Sequence, residues 1–297
     1  MELLDGKLLS QQIKDELKVE VEALVAAGNR PPHLVAILIG ENPASQTYVR
    51  NKVRACDYSG YRSTELLYDT SVKERYLLRK LASLNADPEV DGILVQLPLP
   101  DHISAPKVIE TIAPEKDVDG FHPINIGRMA KGLPAPLPAT PAGILEILRR
   151  YKLPTQGKEV IVVGNSNIVG SPVSILLARE SYPGQATVTI CHIHTQDLAS
   201  HTRRADILIV ATGVVNLITS DMVKEGVVII DVGINRIKDA SRKSGFRLVG
   251  DVDFPGVSPK CSYITPVPGG VGPMTIAMLL KNTMQLYREH LGLAPHQ

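Results

Sequence analysis

The segment Gly164-Asn165-Ser166-Asn167-Ile168-Val169-Gly170 decides the fold of this 297-residue chain. It follows the apolar run Glu159–Val163 and precedes a helical pattern. This strand, glycine-rich turn and helix arrangement places a pyrophosphate at a helix N-terminus. Gly164 would allow a tight turn, and Gly170 would let the helix pack closely on the sheet. The middle glycine of the usual G-x-G-x-x-G pattern is missing, with Ser166 nearby. Taken alone, the loop is a weak signal that an ordinary strand-to-helix turn would also produce.

Further short runs rich in Val and Ile lie on both sides of this loop. They cover residues 33–40, 92–97, 186–191, 207–211 and 227–232. Nearly continuous hydrophobicity indicates strands buried on both faces, as in a parallel sheet with crossover helices, so the predicted fold class is α/β. Two of the runs end in Ala211-Thr212-Gly213 and in Asp231-Val232-Gly233-Ile234-Asn235. Since ligands bind at the carboxyl ends of such strands, this context favours a dinucleotide site.

The domain division follows from proline and glycine punctuation. The pattern over residues 8–27 predicts an amphipathic helix that stops at Gly28, and Asn42-Pro43 opens a second helix that ends near residue 60. Residues 132–138 are the most proline-dense stretch and are typical of a linker. We therefore predict an N-terminal α/β domain over residues 1–138, a Rossmann-type dinucleotide-binding domain over 139–275, and a last helix over 276–297.

Composition narrows the class of partner and compartment. The net charge is +1, from 32 basic and 31 acidic residues, and aromatic residues make up 4% with no Trp. Neither feature is typical of a nucleic-acid or membrane partner. Cys56, Cys191 and Cys261 are far apart and odd in number, so they build neither a disulfide framework nor a metal site. No targeting segment or membrane-spanning apolar run is evident, and we predict a cytoplasmic protein without a metal.

A Tyr-x-x-x-Lys pair, Tyr48 and Lys52, lies on the second predicted helix. A spacing of four puts the phenol and the ammonium on one face, one turn apart. A partly buried Lys can have its pKa lowered toward neutrality and act as an acid or base. A solvated helix face is the alternative interpretation. Short-chain dehydrogenases use the same spacing, but there the pair follows the glycine-rich loop, whereas here it comes before it.

Seven ordered motifs together resemble the methylenetetrahydrofolate dehydrogenase/cyclohydrolase family. The match covers almost the whole chain from Asp5-Gly6-Lys7 onward and rests on the segments 48–52, 91–100, 114–121, 164–172, 231–235, 250–254 and 265–275. The resemblance implies two activities: oxidation of methylenetetrahydrofolate by hydride transfer to a nicotinamide, and hydrolysis of the resulting methenyl cation to formyltetrahydrofolate. It also implies an N-terminal α/β domain and a Rossmann domain with a cleft between them, a last helix that returns to the first domain, and a homodimer.

The resemblance also implies residue roles. Lys52 matches the catalytic lysine, with Gln96 paired to it and Tyr48 orienting it near the pterin. Asp119 would accept hydrogen bonds from the amino-pyrimidine edge, for which a carboxylate is suited. The remaining expected contacts come from bare backbone and loop residues. For the dinucleotide these are Gly164, Asn165, Ser166, Gly170, Thr212, Gly213 and Ile234, and for the folate they are Pro98, Pro268, Gly269 and Gly270.

The sequence departs from the family pattern at three positions. Asn165 stands where Arg is frequent, Ile193 stands where Ser is frequent, and Ala139 replaces a usual Cys. The first two family residues help to bind a 2′-phosphate. The resemblance therefore implies NADP, with NAD as the alternative coenzyme. Two other interpretations stay open here: a Rossmann-type dehydrogenase with a different small substrate, and a non-enzymatic nucleotide-binding module.

Overall fold

The computed structural model describes residues 1–242 and 245–293. The strands are β1 (Glu2–Leu3), β2 (His33–Ile39), β3 (Arg62–Tyr68), β4 (Gly92–Val95), β5 (Glu159–Val163), β6 (Thr187–Cys191), β7 (Ile207–Val210), β8 (Val227–Asp231), β9 (Asn235–Lys238), β10 (Phe246–Val249) and β11 (Cys261–Ile264). The helices are α1 (Gly6–Ala26), α2 (Pro43–Tyr58), α3 (Glu74–Asn85), α4 (Ala105–Thr111), α5 (Pro123–Ala130), α6 (Ala139–Arg150), α7 (Gly170–Ala178), α8 (Leu198–Thr202), α9 (Phe254–Val257) and α10 (Val271–His290).

The chain divides into two compact units. One comprises residues 1–10 and 140–275, and the other comprises residues 11–139 and 276–297. We call them the six-stranded unit and the three-stranded unit after their main sheets. The contiguous division predicted from the sequence differs in the first ten residues. These group with the six-stranded unit because β1 pairs in parallel with β11, and the backbone N–H groups of Leu4 and Lys7 donate to Ile264 and Gly269.

The six-stranded sheet has the order β1-β11-β8-β7-β5-β6 and is parallel throughout. The chain leaves β5 for β6 on one side and returns to β7 on the other. The carboxyl ends of β5 and β7 therefore form a topological switch point, where open α/β sheets bind ligands. Ile161, Leu208 and Ile229 are completely buried, as expected for strands covered on both faces.

The three-stranded sheet has the order β3-β2-β4, also parallel, and repeats this logic. β2 is central, β3 follows it on one side and β4 returns on the other, which makes a second switch point at the carboxyl ends of β2 and β4. In the same unit, α1 buries Ile13, Leu17 and Val21 at a spacing of four.

The predicted α/β class and the parallel strands are confirmed, since each apolar run of the sequence forms a strand within a residue or two of the expected bounds. The sequence pattern missed β3 and β11, as well as β1 and the hairpin of β9 and β10. β3 is an edge strand with four polar residues at its start, and β11 has only four residues, so neither forms a long apolar run. The short hairpin of β9 and β10 is antiparallel and separate from both larger sheets.

Gly164 is required sterically where β5 ends. Its φ is +112°, and a Cβ there would lie 2.2 Å from the carbonyl oxygen of Ala211, which follows β7. A Cβ on Gly170 would in turn lie 1.8 Å from the Gly164 carbonyl oxygen. The turn is therefore built by backbone packed directly on backbone, which explains both glycines that the sequence pattern singled out.

We expect Gly164→Ala to lower the free energy of unfolding by more than about 3 kcal/mol, because it combines a left-handed φ with a clash against backbone. Urea denaturation measures the loss. Gly157→Ala is the matched control in the same unit: its φ is +69° and nothing lies within 4 Å of its Cβ position. That control carries only the backbone cost of roughly 1–2 kcal/mol. Equal losses in the two variants would refute the packing argument.

Candidate active site

Lys52 is a buried cation on α2. The side chain is on the face of the helix that carries Val49 and Cys56, both of which are fully buried, and Lys52 itself is 7% exposed. Its Nζ donates a hydrogen bond to Oε1 of Gln96 over 3.1 Å. A buried ammonium is costly unless it is paired, so this bond anchors the position of the amine.

Gln96 follows directly after β4, at the switch point of the three-stranded sheet. Its backbone N–H donates to the carbonyl of Ile37 on β2, which extends the strand pairing by one step. Its side-chain Nε2 donates to the carbonyl oxygen of Leu97 over 2.7 Å. Since only the amide nitrogen can donate, this contact turns Oε1 toward Lys52. The sheet therefore fixes both the place and the orientation of the acceptor that the lysine meets.

Asp119 lies in a loop that Asp117 organises. The Asp117 carboxylate is buried and accepts from the backbone N–H groups of Gly120 and His122, and from the side chain of Asn125. Val118, the residue directly before Asp119, is also held in place. Asn282 of α10 donates to the carbonyl oxygens of Val118 and Leu137, each over 2.8 Å. Asp119 is thus held between two anchored neighbours. The predicted proline-rich linker is tied to the same unit at its end.

Lys52 and Asp119 influence each other electrostatically. Burial lowers the pKa of Lys52, and the negative charge of Asp119 opposes that shift. Burial raises the pKa of Asp119 to about 6, while Lys52 pulls it down and Asp117 pushes it up. Desolvation therefore favours the uncharged form of both side chains. A site with an easily deprotonated amine and an easily protonated carboxyl is suited to proton transfer.

Tyr48 lies one helical turn before Lys52, as the sequence spacing predicted, and is 36% exposed. Burial raises the pKa of its phenol. Among the residues that the structure describes, no hydrogen bond joins Tyr48 to Lys52, whose amine turns to Gln96 instead. Pro98 is exposed and follows Leu97 through a cis peptide bond, two residues beyond Gln96.

The glycine-rich loop lies at the other switch point. Residues 165–168 are exposed between β5 and α7. The hydroxyl of Ser166 accepts from the backbone N–H groups of Val169 and Gly170 over 3.2 and 3.5 Å, so it satisfies two donors just where the helix begins. The hydroxyl of Ser171 donates to the carbonyl of Asn165. The loop is a preformed turn that presents exposed backbone at a helix N-terminus, which fits an anionic phosphate.

Thr212 and Gly213 follow β7 beside this loop. Their backbone N–H groups both donate to the carboxylate of Asp251, over 2.6 and 2.8 Å. These donors are occupied, so any contact with a ligand would use the carbonyl oxygens or the bare Gly213 Cα. A Cβ on Gly213 would meet nothing within 4 Å. Ile234, after β8, is 44% exposed.

The segment after β11 belongs to the same unit and contains Pro268, Gly269 and Gly270. Gly269 has a φ of +114°, and a Cβ there would lie 3.7 Å from Cγ of Pro266, whereas Gly270 is buried with Thr265 against it. A Cβ on Gly6 would lie 1.8 Å from the Gly270 carbonyl oxygen, which explains the glycine near the start of the chain. Of these three residues, Pro268 and Gly269 leave ring or backbone surface accessible.

Sequence reasoning missed the roles of four buried polar residues: Asp117, Asp231, Asp251 and Asn282. Asp231, Asp251 and Asn282 bond groups at least 16 residues away, and Asp117 bonds a loop of irregular backbone, so periodicity reveals none of these roles. The only sequence signal was that three of them lie inside the motifs at 114–121, 231–235 and 250–254. Within the described residues, no group of three or more His, Cys, Asp and Glu side chains is placed to hold a metal ion. Nor do the described helices include one that is long and apolar enough to span a membrane.

The fold and these sites define a class: a two-unit α/β enzyme with a Rossmann-type dinucleotide-binding unit and a buried lysine–glutamine pair in the other unit. Two family models likewise distinguish a catalytic part from a dinucleotide-binding part of the chain. Residues 4–119 match the catalytic domain of tetrahydrofolate dehydrogenase/cyclohydrolase, and residues 138–291 match the NAD(P)-binding domain of the same family.

Individual relatives cover nearly the whole chain. The bifunctional protein FolD of Bacteroides fragilis is 57% identical over 96% of this chain and 97% of its own. A crystal structure of the bifunctional FolD enzyme from Campylobacter jejuni is 51% identical, covers 97% of this chain and 99% of its own, and superposes with a TM-score of 0.91. A Trypanosoma brucei FolD structure, complexed with NADP cofactor and inhibitor, is 38% identical over 97% of this chain and 98% of its own, with a TM-score of 0.92.

The chain therefore belongs to the tetrahydrofolate dehydrogenase/cyclohydrolase family, as the seven motifs predicted. It is a bifunctional enzyme with a dehydrogenase and a cyclohydrolase activity. Neither a non-enzymatic module nor a dehydrogenase for an unrelated substrate agrees with two family models that match in order over most of the chain.

The electrostatic coupling of Lys52 and Asp119 is open to a direct test. Lys52→Met removes the positive charge that favours the Asp119 carboxylate, so the Asp119 pKa should rise above about 6. A carbon-13 titration of the aspartate carboxyl resonances measures the midpoint. Lys131→Met, at an exposed lysine of the same unit, should leave the midpoint in place. A midpoint that stays or falls in Lys52→Met would contradict the coupling.

Proposed function

We propose that this chain oxidises 5,10-methylenetetrahydrofolate with NADP and hydrolyses the methenyl product to 10-formyltetrahydrofolate, and that Lys52 is the catalytic residue of the hydrolysis. One observation carries the assignment: a buried lysine, lowered in pKa, whose amine is held by Gln96 near the carboxyl of Asp119. An amine in this state exchanges a proton more readily near neutral pH than an exposed lysine does.

In the oxidation, the methylene carbon of the folate loses a hydride and becomes part of a delocalised methenyl cation. The dinucleotide supplies the hydride acceptor. A fully charged ammonium beside the folate would repel the developing cation. Burial lowers the pKa of Lys52 and so makes its uncharged form more accessible, which reduces that repulsion. Gln96 contributes an uncharged acceptor where a carboxylate would restore the charge of the lysine.

In the hydrolysis, water adds to the methenyl carbon of the cation, and one water proton must leave. Neutral Lys52 accepts that proton as the carbon–oxygen bond forms. Cleavage of the bond between this carbon and N5 then gives the formyl group on N10, and N5 takes up a proton that Lys52 can return. The second water-derived proton leaves to solvent, so cation and water become formyl product and one proton. General acid–base catalysis of this kind contributes roughly 10²–10⁴-fold in rate.

Binding of the folate rests on residues around this pair. We assign Asp119 to the amino-pyrimidine edge of the pterin, since a carboxylate offers two acceptors to adjacent N–H donors. Its pKa of about 6 keeps it mostly ionised at neutral pH. Tyr48, exposed one turn before Lys52, offers its ring to the substrate and helps to orient the lysine through packing. Pro98, Pro268 and Gly269 are the further folate contacts that we propose, and the buried Gly270 would hold the backbone of that segment.

The dinucleotide is assigned to the switch point of the six-stranded sheet. Gly164, Asn165, Ser166 and Gly170 would hold the pyrophosphate at the start of α7, and the exposed backbone there suits that role. Thr212, Gly213 and Ile234 would contact the dinucleotide at the ends of β7 and β8. We favour NADP because the Trypanosoma brucei relative was solved with it. The exposed turn His192-Ile193-His194 after β6 supplies imidazoles near the position where such folds recognise the ribose.

We further propose that the enzyme works in the cytosol as a homodimer, with functional domains at 1–138, 139–275 and 276–297. Buried free thiols at Cys56, Cys191 and Cys261 agree with a reducing compartment. The dimer follows from family resemblance, and sedimentation at micromolar concentration tests it.

Lys52→Met should reduce the turnover of methenyltetrahydrofolate by at least about 100-fold, because the proton acceptor is lost while a similar volume remains. Loss of the methenyl absorbance in a stopped-flow cell measures this rate. Lys131→Met is the matched control, since it removes an exposed lysine of the same unit. Wild-type turnover by a folded Lys52→Met enzyme would remove Lys52 from the mechanism.

NADP should be used with a lower KM than NAD, measured by steady-state reduction of both coenzymes at saturating folate. Asn165→Arg should then lower the KM for NADP about tenfold and leave that for NAD unchanged, because a guanidinium can make two charge-assisted bonds to a 2′-phosphate. A strong preference of the wild-type enzyme for NAD would overturn the coenzyme assignment and leave the hydrolysis untouched.

A further inference from the structure

Two aspartates are buried at the carboxyl edge of the six-stranded sheet. Asp231 is the last residue of β8 and is 4% exposed, and Asp251 follows β10 and is 0% exposed. Buried carboxylates are rare unless they are fully hydrogen-bonded or paired with a cation. Neither aspartate has an assigned role in the reaction.

Asp251 holds the turn that follows β7. Its Oδ2 accepts three hydrogen bonds, from the Thr212 backbone N–H over 2.6 Å, the Thr212 hydroxyl over 2.9 Å and the Gly213 N–H over 2.8 Å. Its Oδ1 accepts from the side-chain amide of Asn235 over 2.8 Å. One carboxylate therefore fixes residues on two different segments of the edge.

Asp231 holds Asp251 in turn. Its Oδ1 accepts from the N–H groups of Gly233 and Asp251 over 2.9 and 3.0 Å, and its Oδ2 accepts from that of Val252 over 3.0 Å. Its own N–H donates to the hydroxyl of Thr265 over 2.8 Å. The two aspartates thus form a chain of hydrogen bonds. It connects Thr265, which follows β11, to the Thr212–Gly213 turn, which follows β7.

Two glycines leave the space that these carboxylates occupy. A Cβ on Gly250 would lie 1.8 Å from Oδ2 of Asp231, and a Cβ on Gly233 would lie 2.1 Å from Oδ1 of Asp251. The motifs Asp231-Val232-Gly233 and Gly250-Asp251 are therefore one device, in which each aspartate requires a glycine from the other segment.

We propose that Asp251 is a positioning residue for the dinucleotide: its carboxylate sets the Thr212–Gly213 turn and Asn235 at the switch point, and Asp231 holds that carboxylate in place. The proposal rests on the assignment of the dinucleotide to this edge. Because the turn donates its N–H groups inward to Asp251, it presents its carbonyl oxygens and the bare Gly213 Cα outward. Without the carboxylate, the two N–H groups would lose their acceptor and the turn would lose its fixed orientation.

The contacts supply a reversible test. In Asp251→Asn, an amide oxygen can still accept from Thr212 and Gly213, but its NH₂ group then faces the NH₂ group of Asn235. Adding Asn235→Asp restores a donor opposite an acceptor, so the double variant Asp251→Asn/Asn235→Asp has the original number of hydrogen bonds in reversed polarity. Asp221→Asn, at an exposed aspartate of the same unit, is the control.

We expect Asp251→Asn to raise the Kd for NADPH by about tenfold or more, measured by fluorescence titration, because a charge-assisted acceptor is lost. Hydrolysis of methenyltetrahydrofolate needs no hydride acceptor and should stay within about twofold of wild type. The double variant should recover most of the affinity. Thr212→Val, which removes one of the three donors to Oδ2, should give a smaller increase in Kd and serves if Asp251→Asn fails to fold.

Specific outcomes overturn the proposal. An unchanged Kd in folded Asp251→Asn would do so, as would a parallel loss of NADPH affinity, hydrolysis and urea stability that the double variant does not reverse, since this describes a purely structural role. Absence of NADPH binding by the wild-type protein would instead refute the proposed function. The two failures are therefore distinguishable.

Discussion

Backbone N–H groups in the loops beside a parallel sheet lack the partners that the sheet supplies to its strands, and a buried donor without an acceptor is costly. Both units meet this constraint with buried side-chain acceptors. Asp117 accepts hydrogen bonds from the N–H groups of the loop that carries Asp119, and Asp251 accepts them from the N–H groups of the Thr212–Gly213 turn. The acceptors that satisfy the backbone also set the geometry of the sites, so the same hydrogen bonds stabilise the fold and position its chemistry.

The fold could be predicted from the sequence where both faces of a strand are buried. β5, β7 and β8 are covered on both faces, so their residues are almost all apolar and their class and direction follow. β3 could not be read, because an edge strand with exposed polar residues resembles a loop. Residues 1–10 could not be assigned to their unit either, since a two-residue strand carries no periodicity and its pairing with β11 is fixed by contacts with Ile264 and Gly269.

The residues of the candidate site were likewise predicted only in part from the sequence. Lys52 and Gln96 were predicted from motif resemblance, and the bond between them depends on two local facts: a helix that buries one face, and a strand end whose neighbouring carbonyl orients the amide. Asp251 was quoted in a motif but had no derivable role. Its partners Thr212 and Asn235 are separated from it by 39 and 16 residues, and nothing local indicates that they meet.

The two sites use buried polar groups in different ways. Around Lys52, burial lowers the pKa of the amine and raises that of the nearby Asp119 carboxyl to about 6, so both groups can change their charge more easily than exposed ones. Around Asp251, several N–H and O–H donors converge on one carboxylate and hold it in a fixed position. Proton exchange needs a group whose charge is easily changed, whereas positioning needs one that several hydrogen bonds hold in place. The difference lies in the hydrogen-bond partners: within the described part of the chain, Lys52 meets one neutral amide, and Asp251 accepts from four donors.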